Sequence, residues 1–344
     1  MDVKELGGVI AATVIPYQSD ERAPAGLRVD VARYESHCEW LVASGCAGVV
    51  VNSSMGEDGS LTPDERREVT RAAVRAVGTS ARVVVGVHDL GAHQVVERAG
   101  HAAEDGADAV LCLPPLAYEP TFSEVMRHFE AVAEVGLPVV VCNNPAICQV
   151  DLVPAMLAEI MTLDNVVAAC DFSGHPDRVW KTLALVPDTI VIAGTDGVVV
   201  ESVLSGARAW IAALPNVVAD HAVRLFDLVE SGHLVQAQAL QLALDGLLRW
   251  NGRPGDVQMV KFGMDYRGRY GGPCRPPRHT LSAEVFADVH RDMRNSLAAL
   301  DLGRGHRGER HRCEPNASAC CAQDGDSGAP GGVSSEFLGN PPAS

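Results

Sequence analysis

From residue 9 to about residue 215 the chain repeats one pattern: a short, β-branched apolar run, then a longer amphipathic stretch. The strand-like runs are 9–15, 48–52, 83–88, 109–113, 139–142, 166–170, 190–193 and 209–212. Their apolar residues do not alternate with polar ones, the signature of parallel strands buried on both faces. The stretches between them carry helix start signals. Asp30 suits an N-cap for a helix with Tyr34, Cys38, Leu41 and Val42 on one face, ended by Gly45. Thr62-Pro63-Asp64-Glu65 combines a capping box with proline at the first helical position. Thr121-Phe122-Ser123-Glu124 is a second box, followed by Val125, Phe129 and Val132. Eight strands alternating with helices predict a (β/α)8 TIM barrel, which needs roughly 250 residues. A doubly wound sheet predicts a glycine-rich phosphate turn after the first strand, and Thr13-Val14-Ile15-Pro16-Tyr17 is not one.

Beyond residue 216 the period becomes purely helical, over 217–231, 233–250, 256–266 and 282–300. The expected organisation is therefore a barrel over 1–215, a C-terminal helical appendage over 216–302 and a disordered tail over 303–344. Gly, Ser, Ala, Pro and Asn dominate that tail, with too few large apolar groups to offset the entropy of ordering them.

Composition narrows the function classes. The formal net charge is −16, so phosphate backbones and anionic lipid heads are repelled and neither nucleic acid nor membrane is expected as a partner. The first residues lack a basic segment followed by an apolar one, and no apolar run is long enough to span a bilayer, so a cytoplasmic protein is expected. There are ten cysteines but no CxxC pair, which speaks against a structural zinc site. Cys38, Cys46, Cys112, Cys142 and Cys170 lie in apolar runs, as small buried hydrophobes do in a reducing compartment.

Four segments carry a family resemblance. Val51-Asn52-Ser53-Ser54-Met55-Gly56-Glu57, with Leu61-Thr62-Pro63-Asp64-Glu65-Arg66 after it, resembles a Gly-Thr-Thr-Gly-Glu loop and its helix. Val139-Val140-Val141-Cys142-Asn143-Asn144-Pro145 resembles a strand ending Tyr-Asn-x-Pro. The third is 165–174, and the fourth comprises Val260-Lys261-Phe262-Gly263 with Cys274-Arg275-Pro276-Pro277. In this order and spacing they resemble the dihydrodipicolinate synthase / N-acetylneuraminate lyase family of pyruvate aldolases. The resemblance implies a (β/α)8 barrel, carbon–carbon lyase or aldol chemistry on pyruvate-like acids, no cofactor, and a homo-oligomer, either dimer or tetramer.

Its catalytic positions are altered. By resemblance, Cys170 stands where the family has its Schiff-base lysine, and a thiol cannot form an iminium electron sink. Cys142 stands for the tyrosine that shuttles a proton, Leu116 and Ala117 for a tyrosine pair, and Ile147 for the arginine that holds the second substrate's carboxylate. Ser54 and Met55 stand for the two threonines. The remaining lysines, Lys4, Lys181 and Lys261, do not fall at strand ends. The family lyase is thus expected to keep a pocket for a small keto or hydroxy acid without class I catalysis. The alternative is an inactive member serving as a binding or partner-modulating subunit.

The candidate residues at the barrel mouth are Cys170, Cys142, His88 and Asp171 for chemistry, with Ser53, Ser54, Gly56, Glu57 and Asn143 for holding a small carboxylic acid. A metal held by His88, Asp89, Asp171 and Asp196 is a further option, but no ligand spacing supports it. Plainer roles stand beside each. Asp171 suits a helix cap, His88 a satisfied rim histidine, the two cysteines space-filling, Asn143-Asn144-Pro145 a turn, and Glu57 a loop anchor.

Overall fold

The computed structural model describes residues 6–308, with side chains through Asp301. Eight parallel strands form a closed barrel: β1 (Gly8–Ala12), β4 (Gly48–Val51), β5 (Arg82–Gly86), β6 (Ala109–Cys112), β7 (Val139–Asn143), β8 (Val166–Asp171), β9 (Ile190–Ala193) and β10 (Ala209–Ala212). Closure is made by β1, which pairs with β10 on one side and β4 on the other. Each of the eight coincides with an expected run to within a few residues. Closure leaves no open edge, and apart from the partly buried Val167 the strand valines are buried on both faces.

The outer layer comprises α1 (Val31–Ala43), α2 (Pro63–Val77), α3 (Ala92–Glu104), α4 (Phe122–Ala133), α5 (Pro154–Ile160), α6 (Asp177–Leu185) and α7 (Val199–Leu204). The expected caps are present. The Asp30 carboxylate accepts from the Arg33 backbone N–H at 3.1 Å. Thr62 Oγ1 accepts from Glu65 N–H, and Glu65 Oε2 accepts from Thr62 N–H at 2.9 Å. The Thr121 N–H likewise donates to Glu124 Oε2 at 2.7 Å.

Two features depart from expectation. A small antiparallel hairpin, β2 (Tyr17–Ser19) and β3 (Leu27–Val29), lies between β1 and α1. Its strands are too short for a periodic signal. The C-terminal helices are α8 (Pro215–Glu230), α9 (Leu234–Leu248), α10 (Asp256–Tyr266) and α11 (Ala283–Gly308). The last runs through Gly303 and Gly305 into the segment expected to be tail. Extending an existing helix costs less than starting one, so glycines do not stop it at once. The rest of the expected tail, 309–344, lies outside the described residues. Among the described residues no helix is long and apolar enough to cross a membrane.

The barrel and the C-terminal helices meet through buried polar groups. Asn216, at the start of α8, donates to the Ala12 and Ala213 carbonyls at 2.8 Å each. Its Oδ1 meets His37 Nε2 of α1 at 2.8 Å and accepts the Val14 N–H at 3.3 Å. One side chain thus ties the ends of the first and last strands to two helices.

Candidate functional site

The loop after β4 is shaped by two left-handed residues, Asn52 at φ 53° and Glu57 at φ 52°. Asparagine tolerates that conformation, whereas glutamate is strained there unless its surroundings hold it. They do. Glu57 is buried; its Oε1 accepts from Lys261 Nζ of α10 at 2.6 Å and its Oε2 from the Arg275 N–H at 2.9 Å. Lys261 also donates to the Pro273 carbonyl at 2.7 Å. Arg275, itself buried, reaches Glu65 with both Nη atoms and the carbonyls of Ser60 and Leu27. Lys261 Nζ and the Arg275 guanidinium each lie over the Tyr17 ring, 4.7 Å from its centroid. Both oxygens of Glu57 are therefore engaged within the protein.

The same loop holds two buried polar atoms with no hydrogen-bond partner, and one is Asn52 Oδ1. Ser53 is buried and its hydroxyl has no hydrogen-bond partner. Such an orphan is costly unless something completes it. Ser54 is exposed, and Met55 is buried beside it. Gly56 runs against β1, where a Cβ would stand 3.1 Å from the Thr13 carbonyl oxygen.

Across the mouth, Cys142 of β7 and Cys170 of β8 are partners in the parallel register. Cys112 Sγ lies 3.4 Å from His128 Nε2 of α4, so it faces outward, and it is in register with Val141. Alternation along a strand then turns Cys142, and with it Cys170, to the barrel interior. Cys170 is fully enclosed. Burial pushes its thiol well above the usual range, reinforced by the contacting Cys142 thiol and by Asp171. Cys148, in the loop after β7, is also buried and raised to about 12 by desolvation first and by Cys142 second.

Asn143 and Asp171, next along the two strands, are joined directly. Asn143 Nδ2 donates to Asp171 Oδ1 and to Asp151 Oδ1, both at 3.0 Å. Asp171 also accepts the Ser173 N–H and hydroxyl at 2.9 Å, closing a local turn. Arg178 of α6 grips Asp151 with two bonds, at 2.6 and 2.7 Å, and holds that carboxyl below the usual range. This network latches the loops after β7 and β8 together.

His88 sits elsewhere. Its Nε2 is 2.9 Å from Asp58 Oδ2. Burial raises the Asp58 carboxyl, but His88, Arg66 and Arg98 outweigh it and hold it below the usual range. Asp89 pairs with Arg98. Asp196 is buried beneath β10, accepting from Trp210 Nε1 at 3.0 Å and the Leu214 N–H at 3.1 Å. The four groups considered for a metal thus have separate protein partners. Among the described residues no cluster of three or more His, Cys, Asp or Glu is arranged to hold an ion. Of the lysines, Lys261 is locked as described and Lys181 pairs with Asp177 on α6, while Lys4 lies outside the described residues.

A cavity of about 190 Å³ lies apart from the cysteine pair, between α2 and α3 and the ends of β4 and β5. Asn52, Arg66, Thr70, Gly86, Arg98 and Asp105 help to line it.

The structure thus gathers Cys142, Cys170, Asn143 and Asp171 on adjacent strands. It does not bring His88 to Cys170. Sequence reasoning missed Asp58, Asp151 and Arg178. Asp151 lies in a loop and Arg178 in the first turn of α6, neither within a motif; only their opposite charges, each following a strand end, offered a signal.

The geometry is that of a (β/α)8 barrel with its polar groups at the C-terminal strand ends. The chain belongs to the dihydrodipicolinate synthetase family, whose model matches residues 5–296. It is 30% identical over 296 residues to the 4-hydroxy-tetrahydrodipicolinate synthase of Xanthomonas campestris, covering 86% of this chain and 94% of that protein. It is 29% identical over 282 residues to the synthase of the same name from Methanosphaerula palustris, covering 81% and 96%. Two solved structures share the fold. The 4-hydroxy-tetrahydrodipicolinate synthase of Methylacidiphilum fumariolicum SolV gives a TM-score of 0.82 at 21% identity, covering 87% of this chain and 99% of that one. The chloride-inhibited dihydrodipicolinate synthase of Acinetobacter baumannii, complexed with pyruvate, gives 0.78 at 23% identity, covering 85% and 99%.

Proposed function

We propose that this family member has kept a pocket for a small keto or hydroxy acid at the barrel mouth but has left class I Schiff-base catalysis. The observation that carries the reading is Cys170. It is the last residue but one of β8, where the family resemblance sets the iminium-forming lysine, it is enclosed, and its partner across the register is Cys142 rather than a phenol. A carbonyl compound needs a free amine to form an iminium. Lys261 is committed to Glu57 and the Pro273 carbonyl, and Lys181 to Asp177 on the outer helix. The orphan Ser53 hydroxyl supports the retained pocket, because a carboxylate oxygen would complete it. Asn143 and Asp171 fix the wall beside the cysteines, and Glu57 anchors its loop. By the same family reasoning the chain is read as a cytoplasmic homo-oligomer.

The test is trapping. Full-length chain incubated with pyruvate and borohydride should show no reduced adduct by intact mass. A stoichiometric adduct mapped to Lys181 or Lys261 would overturn the reading. Thermal stabilisation by pyruvate or a related acid is expected in parallel. Exchange of the acid's α-protons in the presence of the chain identifies an enzyme; stabilisation without exchange identifies a binding subunit.

A further inference from the structure

The cysteine pair has chemistry that the acid-binding reading does not use. Cys142 and Cys170 are direct register partners on adjacent parallel strands and lie on the same face. Neighbouring strands lie about 4.7–4.9 Å apart, inside the Cα separation that a disulfide spans. Both side chains have a single rotatable bond to the sulfur, and the residues preceding them in register, Val141 and Ala169, hold the backbones fixed. We propose that Cys142 and Cys170 form a redox pair that closes to a disulfide inside the barrel mouth, with a hydroperoxide as the oxidant.

The steps balance. The Cys142 sulfur attacks the outer oxygen of the hydroperoxide, the O–O bond breaks, and the alcohol or water leaves with the thiol proton, giving a sulfenic acid. The Cys170 sulfur then displaces hydroxide from that sulfur, and its own proton completes a water molecule. Two S–H bonds and one O–O bond are lost; one S–S bond and two O–H bonds are formed. The order follows from enclosure. Cys170 is fully buried, whereas Cys142 keeps a small exposed area, so the oxidant meets Cys142 first and Cys170 resolves it. Enclosed thiols meet an oxidant slowly, so the pair responds to sustained oxidant rather than to a brief pulse. Exchange with an external thiol reopens such a bridge, so the change is reversible.

This proposal rests on the acid-pocket reading only for its consequence, because the bridge would draw together two residues lining that pocket. The chemistry itself is tested without any ligand. The full chain is treated with hydrogen peroxide, quenched by alkylation and cleaved before aspartates, which separates residues 164–170 from 108–150. The expected result is a covalent link between these two fragments, with a mass loss of about 2 Da. The link should be reversed by dithiothreitol, be absent in Cys142→Ser and Cys170→Ser, and persist in Cys112→Ser and Cys148→Ser. A Cys142–Cys148 bridge within the single fragment overturns the proposal. So do free Cys142 and Cys170 thiols at peroxide doses that oxidise the other cysteines. Stabilisation by pyruvate, measured on the reduced and oxidised chains, reads the consequence separately. Its absence from the reduced chain counts against the acid pocket and leaves the disulfide map standing.

Discussion

Glu57 shows how one residue binds distant parts of the chain. A glutamate at φ 52° is held in the left-handed region by a lysine and a backbone N–H from more than two hundred residues away. Removing one member of such a buried pair leaves the other charged and uncompensated, whereas replacing both relieves that penalty. Lys261→Met is therefore expected to destabilise the fold by about 3–5 kcal/mol in urea unfolding. Lys261→Met combined with Glu57→Gln should lose less than the single change. If the double variant were no better than Lys261→Met, the ion pair would not be what the lysine contributes. Cys170 makes the complementary point: its chemistry is set by enclosure as much as by identity, because the thiol is kept neutral where a lysine would need to shed its proton.

Two element junctions bury titratable groups with opposite consequences for pH. His37, where α1 meets α8, lies between Asn216 Oδ1 and Arg269, and burial lowers its pKa to about 4. The unfolded chain takes up this proton near pH 6.5, so His37 contributes stability above that value and loses it as pH falls toward 4. Asp196, joining β9 to β10, has the reverse sign. Burial raises its carboxyl to about 7, so the folded chain holds a proton that the unfolded chain releases near pH 4. Its contribution is present in acid and fades as pH rises toward 7. Urea midpoints across pH 4–7 should therefore change slope in opposite directions for His37→Gln and Asp196→Asn. Equal slopes in both variants and the parent would show that neither group titrates over that range.

At the scale of the molecule, the closed barrel is the part shared with the synthase relatives, which align over more than four-fifths of the chain. Ile147 bears on what the proposed pocket would bind. It lies half exposed in the loop after β7, where the resemblance calls for an arginine to pair a carboxylate. An apolar side chain cannot make that charge-assisted bond. Purified chain should accordingly fail to condense pyruvate with aspartate semialdehyde, followed by coupled spectrophotometry. Robust turnover would show that another group receives the second carboxylate.

What could be read in the sequence was whatever depends on short range. Eight apolar runs, the Asp30 cap and the Thr62 box were legible because strand and helix periods and capping bonds are settled within a few residues. The pairing of Cys142 with Cys170 follows from the family resemblance, which sets the two at the ends of adjacent strands, and the register of β7 and β8 brings them together. The hairpin of β2 and β3 was not legible, since three-residue strands carry no period. The partners of Glu57, His88 and Asp171 were not legible either. Each is a contact across loops or between the barrel and the C-terminal helices, and local propensity holds no record of which charges folding will bring within 3 Å of one another. The sequence alone determined the barrel and the residues offered at its mouth; the tertiary structure decided which of them are engaged and which, like the Ser53 hydroxyl, have no partner within the protein.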